Sequence, residues 1–162
     1  MAAKILTCLA AAALLAGCAT PPRVVRAGDP AFADGKTLAL APSAATPGDR
    51  ARIDQAGALA LDRLKARNAR LGDPAAADYL LQVTFAALPK GVGVMRDKAG
   101  DWLADPKAGR RWGLRGPAYA LSLTAIDTRT GKATFSATAT ERAHGEPAAA
   151  VDRLVTAALA KP

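Results

Sequence analysis

YALSLTAIDTRTGKATFSATATER, residues 119–142, reads as two strands and the turn that joins them. Tyr119, Leu121, Leu123 and Ala125 take every second position, and a period of two puts them on one face of a strand. Asp-Thr-Arg-Thr-Gly follows, a tight connection in which Gly131 supplies the left-handed backbone that a bulged hairpin turn requires. The segment from Lys132 onward returns as the partner strand. Its other face, Thr134, Ser136, Thr138 and Thr140, is entirely hydroxylic. Such a row suits a sheet with one wetted side. The alternative is a flat hydrogen-bonding platform for a partner.

Outward from the hairpin the pattern continues. Tyr79, Leu81, Val83 and Phe85 alternate with Leu80, Gln82, Thr84 and Ala86, which argues another strand. TLALAP, residues 37–42, is a short strand stopped by proline. Thr46, Pro47 and Asp49 place a hydroxyl at the N-cap, proline at the first helical position and an acid at the third, so that the unpaired N–H groups of a helix start are met. This helix is expected to run to about Leu71 and end at Gly72. Ile53, Ala56, Ala60, Leu61 and Leu64 form its apolar face, with Arg52, Arg63, Lys65 and Arg67 opposite. Glu146 and Pro147 open a closing helix in which Val151, Leu154, Val155, Ala158 and Leu159 repeat at helical spacing. The order β-α-β-β-β-α predicts an α+β two-layer sandwich, with about four strands in a mixed or antiparallel sheet and both helices on one face. The last three strands should form an antiparallel meander. Aromatic residues make up only 4% of the chain, so the helices should approach the sheet closely over small side chains.

The start of the chain follows other rules. Lys4 precedes an apolar run from Ile5 to Ala16, shorter than the roughly 20 residues of a membrane-spanning helix. That is the layout of a secretory signal. Leu15, Ala16, Gly17 and Cys18 stand directly after it and are similar to the lipobox of bacterial lipoproteins, in which the cysteine becomes the acylated N-terminus. The resemblance implies removal of residues 1–17 and lipid on Cys18. Because Ala19 rather than an aspartate follows, it also implies the periplasmic face of the outer membrane. One acyl chain holds only marginally at about 0.8 kcal/mol per buried methylene, whereas several make a stable anchor. Residues 18–35 are expected to be the lipidated cysteine and a flexible tether, since ATPPRVVRAGDPAF (19–32) holds three prolines and no sustained period. Residues 36–162 should form a single domain. With Cys8 lost and Cys18 acylated, no thiol pair remains for a disulfide or a thiolate metal site. The formal charge of +8, from 22 basic and 14 acidic residues, favours anionic partners such as lipid phosphates or lipopolysaccharide. Export removes the protein from nucleic acid.

Asp73, Ala77 and Asp78 lead into the strand at Tyr79, and Asp127, Thr130, Gly131 and Lys132 form the later turn. In these two motifs the chain resembles the bacterial envelope lipoproteins grouped as domain of unknown function 4136, over about three quarters of the mature length. Members often carry tryptophan after the turn, where this chain has Phe135. The resemblance implies an exported lipoprotein and supplies no reaction.

The interval 89–117 is too long for ordinary hairpin closure, and loops of such length usually carry function or disorder. Lys90, Arg96, Arg110, Arg111 and Arg115 accompany both tryptophans, Trp102 and Trp112. Guanidinium groups beside indole rings suit a lipid headgroup boundary, where phosphate meets charge and the ring sits half in apolar material. The plainer reading is a solvated flap over one end of the core. Asp97, Asp101 and Asp105 lie four apart, yet Gly100 and Pro106 argue against the helix that would align them on a metal. His144, at a strand-to-helix junction, fits a capping or solvent role. No G-x-S-x-G, H-E-x-x-H or phosphate-cradling glycine loop is present, so neither catalytic residues, a metal nor a cofactor is expected. Glu141 and Glu146 could serve as an acid pair in an unrecognised hydrolase site, but nothing in the sequence favours them. The expected function is a non-enzymatic binding or structural role in the envelope, toward anionic lipid, lipopolysaccharide, glycan or another envelope protein, with an accessory subunit of a transport or assembly complex as the alternative. If the loop binds anionic lipid, replacing Arg110, Arg111 and Arg115 with alanine weakens association with anionic vesicles by about two orders of magnitude at low salt, at about 1 kcal/mol per arginine. Unchanged vesicle retention rejects that role.

Overall fold

The structure, a computed structural model, describes residues 20–43, 47–90, 93–96, 102–105 and 116–161. In chain order they form β1 (Arg23–Ala27), β2 (Thr37–Leu40), α1 (Pro47–Lys65), β3 (Arg70–Leu71), β4 (Tyr79–Leu88), β5 (Gly93–Arg96), β6 (Trp102–Asp105), β7 (Ala118–Asp127), β8 (Ala133–Arg142) and α2 (Pro147–Leu159). The main sheet is six-stranded, in the order β1-β8-β7-β4-β2-β3, and β5 and β6 form a separate antiparallel pair. The α+β class and the antiparallel meander β4-β7-β8 follow the alternation of the sequence, and β2 runs parallel to β4 across α1.

The expected four strands become six because two short segments lack a pattern of their own. Arg23–Ala27 lies within the stretch whose prolines suggest a tether, yet it pairs antiparallel with β8, Val25 opposite Thr138. At the other edge, α1 stops at Lys65 instead of reaching Leu71. Asn68 takes a left-handed conformation at φ 71°, and the Ala69 N–H returns to the Leu64 carbonyl at 3.1 Å. Asparagine tolerates that conformation better than most residues and so ends helices much as glycine does. Arg70 and Leu71 are thereby released to pair with β2.

The hydroxyl row is not wetted as expected. In a four-stranded meander β8 would be an edge; with β1 outside it, β8 is an interior strand. Ser136, Thr138 and Thr140 are buried, and only Thr134 is exposed. Thr138 Oγ1 donates to Ser122 Oγ across the strands at 3.3 Å.

Both helices cover the opposite face. Ile53, Ala56, Ala60 and Leu64 of α1 and Val151, Leu154, Val155, Ala158 and Leu159 of α2 meet Leu81, Leu121, Leu123, Phe135, Ala137 and Ala139 in one core. Each fully buried leucine there contributes about 1.5–3 kcal/mol. Alanine at the contact points lets the layers close. Phe32 stacks on Phe135 with ring centroids 5.0 Å apart, which fastens the β1–β2 connection to the same core.

β1 is held by more than its ladder. Arg26 points to the helix side, where Nη2 donates to the carbonyls of Ala157 at 3.0 Å and Ala158 at 3.1 Å, and Nε donates to Ala158 at 3.2 Å. Arg67 Nη1 donates to the Leu159 carbonyl at 2.6 Å. The last carbonyls of a helix have no intrahelical donor and carry the negative end of its dipole, so two guanidinium groups suit this terminus. Gly28 then turns the chain out of β1 at φ 82°, and a Cβ on it would overlap the Thr134 carbonyl oxygen. Gly28→Ala should therefore lower unfolding stability by at least about 2 kcal/mol, through strain and displacement of β1. A urea midpoint unchanged from wild type contradicts this close approach.

Candidate functional site

β4 is ten residues long, but β2 accompanies only Tyr79–Leu81. The Ala41 N–H donates to the Leu81 carbonyl at 3.0 Å, and the chain then leaves the sheet for the start of α1. The Leu81 carbonyl thus points at β2, whereas the Asp78 carbonyl accepts the Thr128 N–H from the β7 side at 3.0 Å. Along an antiparallel strand, successive residues direct their backbone groups alternately to the two sides. Even-numbered residues of β4 therefore bond β7. Val83, Phe85 and Ala87 turn N–H and C=O to the outer edge, where no described strand pairs with them.

An open cleft of about 470 Å3 lies along this edge. Leu40, Ile53 and Phe85 give it an apolar wall, and Asp49 and Asp54 on α1 supply its charge; among the described residues no lysine or arginine lines it. Asp49 Oδ1 accepts a hydrogen bond from Arg52 Nη1 at 3.3 Å with both side chains more than a third exposed, a pairing that contributes little in water. Asp54 is exposed. In a chain carrying +8 overall, the cleft is a local acidic exception.

Several other titratable groups lie away from the cleft. Glu141, buried on β8, accepts from Arg153 on α2 at 2.6 and 3.1 Å. That hydrogen bond raises the arginine above its ordinary range. Its fork geometry fixes the angle of α2 against the sheet. Asp127 lies below the usual carboxylate range, chiefly because its Oδ1 accepts the Thr130 N–H at 2.8 Å in the turn between β7 and β8. His144 Nδ1 sits 2.7 Å from the Arg142 carbonyl oxygen at the surface, a local contact. Glu146 occupies the N-cap of α2 and makes no side-chain cap there.

Of the basic and aromatic residues singled out in the 89–117 interval, Lys90 is exposed just past β4. Arg96 and Trp102 stand opposite each other in the β5–β6 ladder. Arg110, Arg111, Arg115 and Trp112, like Cys18, lie outside the described residues, as do Asp97 and Asp101. Among the described residues no group of three or more His, Cys, Asp or Glu is placed to hold a metal ion, and no helix is long and apolar enough to cross a membrane. The cleft itself escapes sequence reading because its parts come from β2, α1 and β4. Its one sequence signal is that the alternation of β4 outlasts that of β2.

No family model matches the chain, and a search of curated proteins finds no match. Solved structures do resemble it. A PDZ domain protein from Parabacteroides distasonis superposes with a TM-score of 0.55 at 15% identity, over 86% of this chain. This chain spans about a third of that protein's length, 34%. The PelC dodecamer from Paraburkholderia phytofirmans superposes with a TM-score of 0.50 at 19% identity, over 85% of this chain and 94% of its own. The likeness is one of fold. Helices laid on one face of a mixed sheet recur across chains whose sequences have diverged this far, so function has to be argued from the groups at the site.

Proposed function

We propose that the chain is a lipoprotein anchored through Cys18, facing the periplasm from the outer membrane, with a non-enzymatic binding or structural role in the cell envelope. Support comes from the lipobox-like residues Leu15–Cys18 and from the motif resemblance to domain of unknown function 4136. The observation that carries the reading is the position of β1, which begins at Arg23, five residues after Cys18. An extended chain reaches at most about 3.6 Å per residue, so an acylated Cys18 would lie within about 18 Å of the sheet. The domain is then held close to the bilayer by its β1 side. The sheet order sets β4 three strands further in, some 14 Å at about 4.8 Å per strand, with its open edge directed away from the anchored one. The cleft is thereby offered to the periplasm, and the basic 89–117 interval provides contact with anionic lipid or glycan.

A second reading, an accessory subunit of an envelope assembly, draws on one observation: a similar fold in PelC builds a dodecamer. Metabolic labelling with a fatty acid, followed by membrane fractionation, tests the anchored reading. Wild-type protein is expected to carry label and sediment with the outer membrane, and Cys18→Ala to carry none and appear in the soluble fraction. Label that survives the substitution, or unlabelled wild-type protein in the cytosol, contradicts it. A multiple of the monomer mass in detergent favours the second reading.

A further inference from the structure

We propose that the end of the main sheet at which the N-terminal lead enters is a bilayer-facing surface, where Arg23, Lys90 and Arg142 meet the phosphates of anionic phospholipid and set the orientation of the domain. The ladders bring these residues together. Arg23 opens β1 opposite Thr140, and Arg142, two positions on in β8, shares the face of Thr140. Arg142 stands opposite Ala118 of β7, and Ala118 opposite Leu88 of β4, two positions before Lys90. At about 4.8 Å between neighbouring strands the three cations spread over some 14 Å, comparable with the screening length of about 10 Å at 0.1 M salt, so they act together on one charged surface. All three are exposed, and among the described residues none of them forms an ion pair.

The two ends of the sheet differ in charge. Among the described residues that flank the lead-in end, Glu146 is the one exposed acid, and it stands at the start of α2, where the positive end of the helix dipole offsets it. At the other end the cations are interspersed with Asp29, Asp34, Asp73, Asp78 and Asp127, so opposite charges cancel at short range. Acylation would work with the basic end. The short lead from Cys18 to Arg23 delivers the cations to the headgroup plane at high effective concentration. Several acyl chains hold the protein by themselves; what the cations add is direction. The Arg142 end of the strands then faces the bilayer, and the turn between β7 and β8 faces the periplasm. The inference rests on the anchored reading for this geometry, whereas the surface charge does not depend on Cys18.

Two measurements test it. Residues 19–162, which contain every described element and neither the apolar start nor Cys18, are sedimented with vesicles of mixed phosphatidylglycerol and phosphatidylcholine. Salt-sensitive binding is expected, and none to phosphatidylcholine alone. Arg23→Gln, Lys90→Gln and Arg142→Gln together should weaken it about a hundredfold, at roughly fivefold per cation. Lys36→Gln, Arg129→Gln and Lys132→Gln together, an equal change of net charge at the other end, should weaken it less than about threefold, because screening isolates them from the bilayer. No binding to the anionic vesicles, equal loss in the two triple variants, or displacement by inorganic phosphate at matched ionic strength overturns the proposal, the last by marking a site for the free ion. In the acylated chain, with Cys8 removed and Cys18 blocked, a dye on His144→Cys should be quenched by headgroup-labelled lipid more strongly than one on Arg129→Cys; the reverse order also overturns it. A chain that carries no acyl group and fails to enter vesicles refutes the anchored reading alone, and the sedimentation result then still decides the proposal.

Discussion

The carbonyls at the end of α2 are the point on which the arrangement depends. A helix terminus leaves its last backbone acceptors short of donors, here with only the Ala160 N–H on the Ala157 carbonyl at 3.3 Å, and a carbonyl left unpaired in a half-buried position costs about 1–3 kcal/mol. Arg26 and Arg67 supply the donors from distant parts of the chain, the first from β1 and the second from the turn after α1. One cluster therefore ties together the first strand, the connection between the layers and the last helix. Without Arg26 turned inward, β1 would keep only its ladder with β8 and the half-buried Val24 to hold it.

That tie has consequences on both faces of the sheet. Because β1 is held, β8 is an interior strand, paired on both sides. Because β1 follows Cys18 so closely, any lipid on that residue would act on a rigid body through a short lead, not through a long swinging tether. The opposite flank is organised by a shortage: β2 ends at Leu40 while β4 continues to Leu88. The two flanks thus differ in kind. One is closed by arginines and carries the N-terminal lead, and on the other, among the described residues, β4 runs on past β2 beside an apolar cleft.

What the sequence discloses and what it hides divide along physical lines. Period-two segments of eight or more residues, Tyr79–Leu88 and the 119–142 hairpin, announce themselves because one face meets the helices and must be apolar, whereas the other carries small or hydroxylic residues. The stripe of Val151, Leu154, Val155, Ala158 and Leu159 does the same for α2, and all five are buried. β1 is hidden because two prolines precede it and one of its two inward positions, beside Val24, is an arginine, a residue whose reason for pointing inward lies some 130 positions away. The end of α1 is misplaced because Ala69 and Leu71 continue a plausible apolar rhythm, while the decisive residue, Asn68, acts through its backbone conformation. The cleft needs three non-adjacent segments and a difference in strand length. Sequence inspection reaches instead for the basic, tryptophan-bearing interval, of which the described part is the β5–β6 pair.

Amide hydrogen exchange at Val25 reports whether β1 is a clamped strand. Odd-numbered residues of β8 bond β7, as the Ala143 N–H to Pro117 carbonyl contact of 2.8 Å indicates, so Val25, opposite Thr138, exchanges backbone hydrogen bonds with β8. If β1 is a strand clamped by Arg26, the Val25 amide should exchange at least about a hundredfold more slowly than a free chain, and Arg26→Ala should return most of that protection. Exchange at the free-chain rate in the wild-type protein would show the N-terminal lead to be a loose tether and remove the basis for a rigidly presented cleft.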